Sequence, residues 1–129
     1  MRLAIPDGDP FITDLLKVIL EQAGYTVLIF PTIAAFIAET SSNGRSMPGG
    51  ADTPPSGGAG CDLLVLDYDF VREKKLSLVR NTYADLPILL LSADYLPAEK
   101  AVKGWTQVEV LQKPFKIVRL LSIVERLLQ

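Results

Sequence analysis

Strands alternate with helices five times along this sequence, and that alternation predicts an α/β domain on a doubly wound parallel sheet. Three observations carry the prediction. Leu63-Leu64-Val65-Leu66 and Ile88-Leu89-Leu90-Leu91 are unbroken apolar runs of strand length, as expected for strands buried on both faces. Segments with apolar residues at helical spacing follow the strands. Both long runs stop at a polar residue, Asp67 or Ser92, at the strand ends where open α/β sheets bind ligands.

In chain order, Leu3-Ala4-Ile5 is a short strand closed by Pro6, which cannot donate to a ladder. Asp9 is a good helix N-cap and Pro10 a good first helical residue. The helix that follows carries Ile12, Leu15, Leu16, Ile19 and Leu20, and Gly24 ends it as a left-handed cap. Tyr25 to Phe30, rich in β-branched and aromatic residues, is the second strand. A short helix from Ile33 to Glu39 sets Ile33, Phe36 and Ile37 on one face. After Asp67, the spacing of Leu76, Val79 and Arg80 fits a helix of about ten residues ending near Asn81. Pro87 opens the strand that ends at Ser92. A brief helix around Ala98 to Lys103 is stopped by Gly104, with Trp105 expected in the core. Val108 to Leu111 is the last strand, and the final helix carries Ile117, Leu120, Leu121, Val124, Leu127 and Leu128 on one stripe. Lys103, Lys116 and Arg119 read as a solvated face.

The totals set bounds. At 129 residues the chain is expected to be one domain, 1–129. That size buries roughly two-thirds of the unfolded surface without a metal or disulfide staple. The segment from about 40 to 60 is rich in Gly, Pro and Ser with almost nothing to bury, and reads as a solvated insertion. Its extra closure entropy is only roughly 1.2 kcal/mol over a short connection. A net charge of −2 leaves no electrostatic footprint for nucleic acid. A single cysteine excludes an internal disulfide and fits a reducing compartment. With no signal-peptide pattern and no membrane-length apolar run, a soluble cytoplasmic protein without a membrane partner is expected. The absence of histidine rules out His-based triads, His-ligated metals and a phosphohistidine donor role.

The chemistry gathers at the strand ends: Asp7 and Asp9 after the first strand, Asp67 and Asp69 after the third, Ser92 after the fourth, Lys113 after the fifth. In a flavodoxin-like sheet of strand order 2-1-3-4-5, the first and third strands meet at the switch point and these groups converge. Clustered carboxylates with open positions suit Mg²⁺, which takes oxygen ligands and keeps several waters. Asp67 can act as a carboxylate nucleophile, Ser92 can donate to a phosphoryl oxygen, and Lys113 supplies a positive charge.

These residues resemble the receiver domains of the two-component response-regulator family. The matching motifs are Asp7-Gly8-Asp9-Pro10, Leu63-Leu64-Val65-Leu66-Asp67, Ile88-Leu89-Leu90-Leu91-Ser92-Ala93 and Lys113-Pro114-Phe115. The resemblance implies an atypical single-domain receiver that accepts a phosphoryl group at Asp67 from a histidine kinase or phosphotransfer protein. It implies Ser92 as the switch hydroxyl, Lys113 as the phosphoryl contact, a Lys113-Pro114 bond that is often cis, and a small Ala93 that leaves room for the phosphoryl group. It implies Mg²⁺ held by Asp7, Asp67 and the main chain of Asp69. It also implies altered binding of a downstream protein partner, with a homodimer through the last strand and its flanking helices as one form. Such a protein is a phospho-acceptor rather than an enzyme.

Several positions depart from the family pattern. Gly8 stands where the direct acidic Mg²⁺ ligand is usual, and Asp9, one position on, is the alternative ligand or a helix cap. Phe70-Val71 and Lys75 replace the Met-Pro and the later Gly, so the loop after Asp67 must differ. Val110 replaces the aromatic that moves with the switch hydroxyl. Asp69 adds a negative charge beside the site. These departures support a second expectation: a pseudo-receiver that binds a protein partner without phosphorylation. A third is weaker. Asp67-Tyr68-Asp69 resembles the Asp-x-Asp pair of haloacid-dehalogenase phosphatases, but no acid follows Lys113 before Glu125.

Overall fold

The computed structural model describes residues 1–6, 10–38, 61–83 and 85–129. The acidic turn Asp7-Gly8-Asp9 and the 40–60 insertion therefore lie outside the described residues. The strands are β1 (Arg2–Pro6), β2 (Thr26–Phe30), β3 (Leu63–Asp67), β4 (Ile88–Ser92) and β5 (Val108–Gln112). The helices are α1 (Pro10–Gln22), a helical segment α2 over 33–38, α3 (Tyr68–Thr82), α4 (Tyr95–Ala101) and α5 (Ile117–Leu127). All strand pairs are parallel and the sheet order is β2-β1-β3-β4-β5, the flavodoxin-like order expected.

Alternation along the central strands divides the core in two. Ala4, Leu64, Leu66, Ile88 and Leu90 point to one face, where α2, α3 and α4 cover them through Phe36, Leu76, Val79 and Ala98. Leu3, Ile5, Leu63, Val65, Leu89 and Leu91 point to the other, covered by α1 and α5 through Leu16, Leu20, Leu120 and Val124. Every residue of β3 and β4 is buried. The edge strands β2 and β5 are only partly covered, and their sequences are correspondingly mixed.

The helix faces depart from the expected stripes. Leu15 and Ile117 are about half exposed, while Thr13 and Ile123 are buried in their place. An apolar stripe marks the inward side of a helix but is broader than the surface the sheet covers, so residues on its margin face out. Gly24 does end α1: its φ is +101°. The Gly24 N–H donates to the Glu21 carbonyl and the Tyr25 N–H to the Leu20 carbonyl, both at 3.1 Å, which closes the helix in a Schellman motif. Trp105 is half-buried against the first core cluster, with the Arg80 guanidinium 5.1 Å from its ring centroid. Lys103, Lys116 and Arg119 are exposed.

Cys61 is buried in the first core cluster. Burial first, and the Asp62 carboxylate second, push its thiol up to about 12. Because the thiolate is the reactive form, alkylation of Cys61 at neutral pH is expected to run more than about a hundredfold slower in the folded protein than in urea. A time course of iodoacetamide labelling by mass spectrometry checks this, and equal rates would contradict it.

Candidate functional site

β3 ends at Asp67, which is 4% exposed. The register pairs Asp67 with Leu91 of β4, and Ser92 at the end of β4 with Gln112 at the end of β5. The Lys113 N–H extends this ladder, donating to the Ser92 carbonyl at 2.8 Å. The three strand ends are thus locked side by side, and the sheet brings Asp67, Ser92 and Lys113 together as the sequence predicts. The Lys113–Pro114 peptide is cis, as the resemblance implies.

The expected helix of about ten residues is longer and broken. A helical turn starts at Tyr68, directly after Asp67, and the chain kinks at Arg72 (φ 57°, ψ −176°) before the rest of α3. A non-glycine residue in this region costs on the order of 1–3 kcal/mol. Tyr68 and Val71, three apart, are buried and fasten the turn to the core. Asp67 Oδ1 accepts the Asp69 N–H at 3.0 Å and so caps the turn.

This turn places the Asp69 side chain over the ends of β4 and β5. The Lys113 ammonium donates to Asp67 Oδ2 and to Asp69 Oδ2, each at 2.9 Å. Asp69 Oδ2 also accepts the Ala93 N–H at 3.0 Å. Ser92 Oγ accepts the Asp94 N–H at 3.1 Å and lies 2.7 Å from the Asp94 carbonyl and 3.5 Å from Asp69 Oδ1. The hydroxyl has a single proton, and distance assigns it to the Asp94 carbonyl. Asp69 is therefore held by Lys113 and Ala93, with Ser92 at the rim.

The electrostatics follow from these contacts. Burial pushes the Asp69 carboxyl up, but the hydrogen bonds from Lys113 and the Ala93 N–H, with the lysine charge, hold it below the usual carboxylate range. Partial burial disfavours the Lys113 ammonium, yet hydrogen bonds and charge from Asp67 and Asp69 raise it above the ordinary lysine value. From the sequence, Asp69 is expected as a main-chain ligand and as a negative charge beside the site, not as the hydrogen-bonding partner of Lys113 and Ala93. Its side-chain role depends on the helical turn immediately after β3, and no Gly or Pro between Asp67 and Lys75 signals the kink at Arg72.

Asp67 and the main chain of Asp69 are hard oxygen donors of the kind Mg²⁺ takes. Among the described residues no group of three or more acids, cysteines or histidines is gathered; Asp7 and Asp9, named with them from the sequence, lie outside the described residues. Val110, at the position where an aromatic is usual, is half-buried and packs on the first core cluster. Among the described residues no helix is long and apolar enough to cross a membrane.

Comparison with known proteins places this architecture. No family model matches the sequence, and no curated protein matches it. Among solved structures, the receiver domain of HemR from Leptospira biflexa aligns with 99% of this chain and 94% of its own, at 25% identity and a TM-score of 0.70. A response regulator receiver protein from Sinorhizobium medicae aligns over 99% and 94%, at 20% identity and a TM-score of 0.70. NtrX from Brucella abortus aligns at 22% identity and a TM-score of 0.73, with this chain spanning 26% of the NtrX chain. The shared architecture is the receiver-domain fold of response regulators, and this chain carries it.

Proposed function

We propose that this receiver-fold chain accepts a phosphoryl group at Asp67 from a phosphohistidine of a histidine kinase or phosphotransfer protein, and signals through altered binding of a protein partner. The supporting observation is the convergence of Asp67 with Lys113, Ser92 and the Ala93 N–H at three adjacent strand ends. In the transfer, an Asp67 carboxylate oxygen attacks phosphorus, a P–O bond forms, and the P–N bond to the donor imidazole breaks. The imidazole keeps the electron pair and takes a proton from solvent. Lys113 and the Ala93 N–H offset charge on the phosphoryl oxygens. Asp7, Asp67 and the main chain of Asp69 would hold Mg²⁺, with Asp9 as the alternative to Gly8. The ion would neutralise phosphoryl charge when bound. The chemistry stops at the acyl phosphate and its hydrolysis, so this is a signalling acceptor and not an enzyme with an external substrate. The partner face would be the groove between α4 and β5, where Leu96 is 70% exposed beside Tyr95, Val108 and Val110.

One observation favours a second reading, the phosphorylation-independent pseudo-receiver: the Asp69 carboxylate already takes the Lys113 ammonium and the Ala93 N–H. Titration with beryllofluoride and Mg²⁺, followed by amide shifts, separates the two. Acceptance at Asp67 predicts saturable shifts at Asp67, Ser92, Ala93 and Lys113 that EDTA reverses. No response with Mg²⁺ in the millimolar range would leave the pseudo-receiver.

A further inference from the structure

We propose that the Asp69 carboxylate is a built-in occupant of the oxyanion slot at the strand ends, so that an incoming phosphate-like group must displace it. The inference rests on the acceptor reading of the site and concerns how that site is regulated. The donors that would receive a phosphoryl oxygen are the Lys113 ammonium and the Ala93 N–H. Asp69 Oδ2 takes both, at 2.9 and 3.0 Å. Asp69 Oδ1 faces Ser92 Oγ at 3.5 Å, so the carboxylate spans the slot from the lysine to the switch hydroxyl.

Asp69 does not reach the slot as a loose surface arm. Its N–H is tied to Asp67 Oδ1 at 3.0 Å, and the buried Tyr68 and Val71 hold its turn on the core. The slot is nevertheless not sealed, because the Asp69 side chain remains 35% exposed. Rotation about its side-chain bonds would carry the carboxylate into water without unwinding the turn. A phosphoryl group and the Asp69 carboxylate cannot share these donors: one position is filled, and two anions side by side repel. The two therefore compete, and the resting slot is satisfied from within.

Competition makes removal of Asp69 a gain. The full chain and its Asp69→Ala and Asp69→Asn variants would be titrated with beryllofluoride plus Mg²⁺, and separately with inorganic phosphate, following the Ala93 amide. Asp69→Ala is expected to bind beryllofluoride at least tenfold more tightly than the unaltered chain. Asp69→Asn, which keeps a hydrogen-bond acceptor but loses the charge, is expected to fall between and covers the case of an alanine variant that does not fold. Binding by the unaltered chain that neither variant tightens would overturn the inference and leave the acceptor reading standing. Absence of binding to all three proteins would overturn both. Phosphate binding to Asp69→Ala alone, without beryllofluoride binding, would support the built-in occupant and count against Asp67 as acceptor.

Discussion

Replacing Lys113 with methionine is expected to destabilise the domain by about 3 kcal/mol, the scale set by stripping the partner from a buried charge. Lys113 Nζ is the shared cation of Asp67, 4% exposed, and of Asp69. Without it two carboxylates face each other at the strand end, the Asp67 one buried, and methionine restores volume but no charge. Asp67→Asn is expected to cost much less, because Lys113 keeps Asp69 and one carboxylate is gone. Urea unfolding with an unchanged slope would register the difference as a shift in midpoint. A Lys113→Met midpoint equal to that of the unaltered chain would show that the pairing adds nothing to stability.

The second large effect is in the core. Phe36→Ala is expected to cost about 4 kcal/mol, the range for deleting a buried aromatic that leaves a cavity. Phe36 is fully buried and meets Phe30 and Tyr83 edge-on, with ring centroids 5.2 and 5.7 Å apart. It fastens α2 to the sheet and to the end of α3. Because small domains are stable by only about 5–15 kcal/mol, a midpoint barely changed by this substitution would mean that α2 is not docked as described.

How far the sequence foretold this molecule depends on what each residue answers to. β3 and β4 were legible because burial on both faces leaves an unbroken apolar run. The site residues Asp67, Ser92 and Lys113 were legible because parallel strands deliver their carboxyl ends to one edge of the sheet. Gly24 was legible because a left-handed cap demands it. The inward side of α1 and α5 was legible in outline, but not at Leu15, Ile117 and Ile123, where tertiary packing chose among neighbouring apolar positions. The turn at Tyr68 and the kink at Arg72 carry no glycine or proline to announce them. The side-chain role of Asp69 followed from that turn and so stayed hidden, although its negative charge beside the site was plain. The acidic turn at Asp7 to Asp9 was legible as a motif, and its geometry lies outside the described residues.

Phosphoryl transfer itself tests acceptance at Asp67 most directly. The full chain and Asp67→Asn would be incubated with Mg²⁺ and a small acyl-phosphate donor, and their intact masses compared over time. Acceptance at Asp67 predicts a mass gain of one phosphoryl group in the unaltered chain, loss of that gain in Asp67→Asn, and loss again when EDTA removes the metal. A chain that gains no phosphoryl group, or gains it equally in Asp67→Asn, would contradict phosphoryl acceptance at this residue.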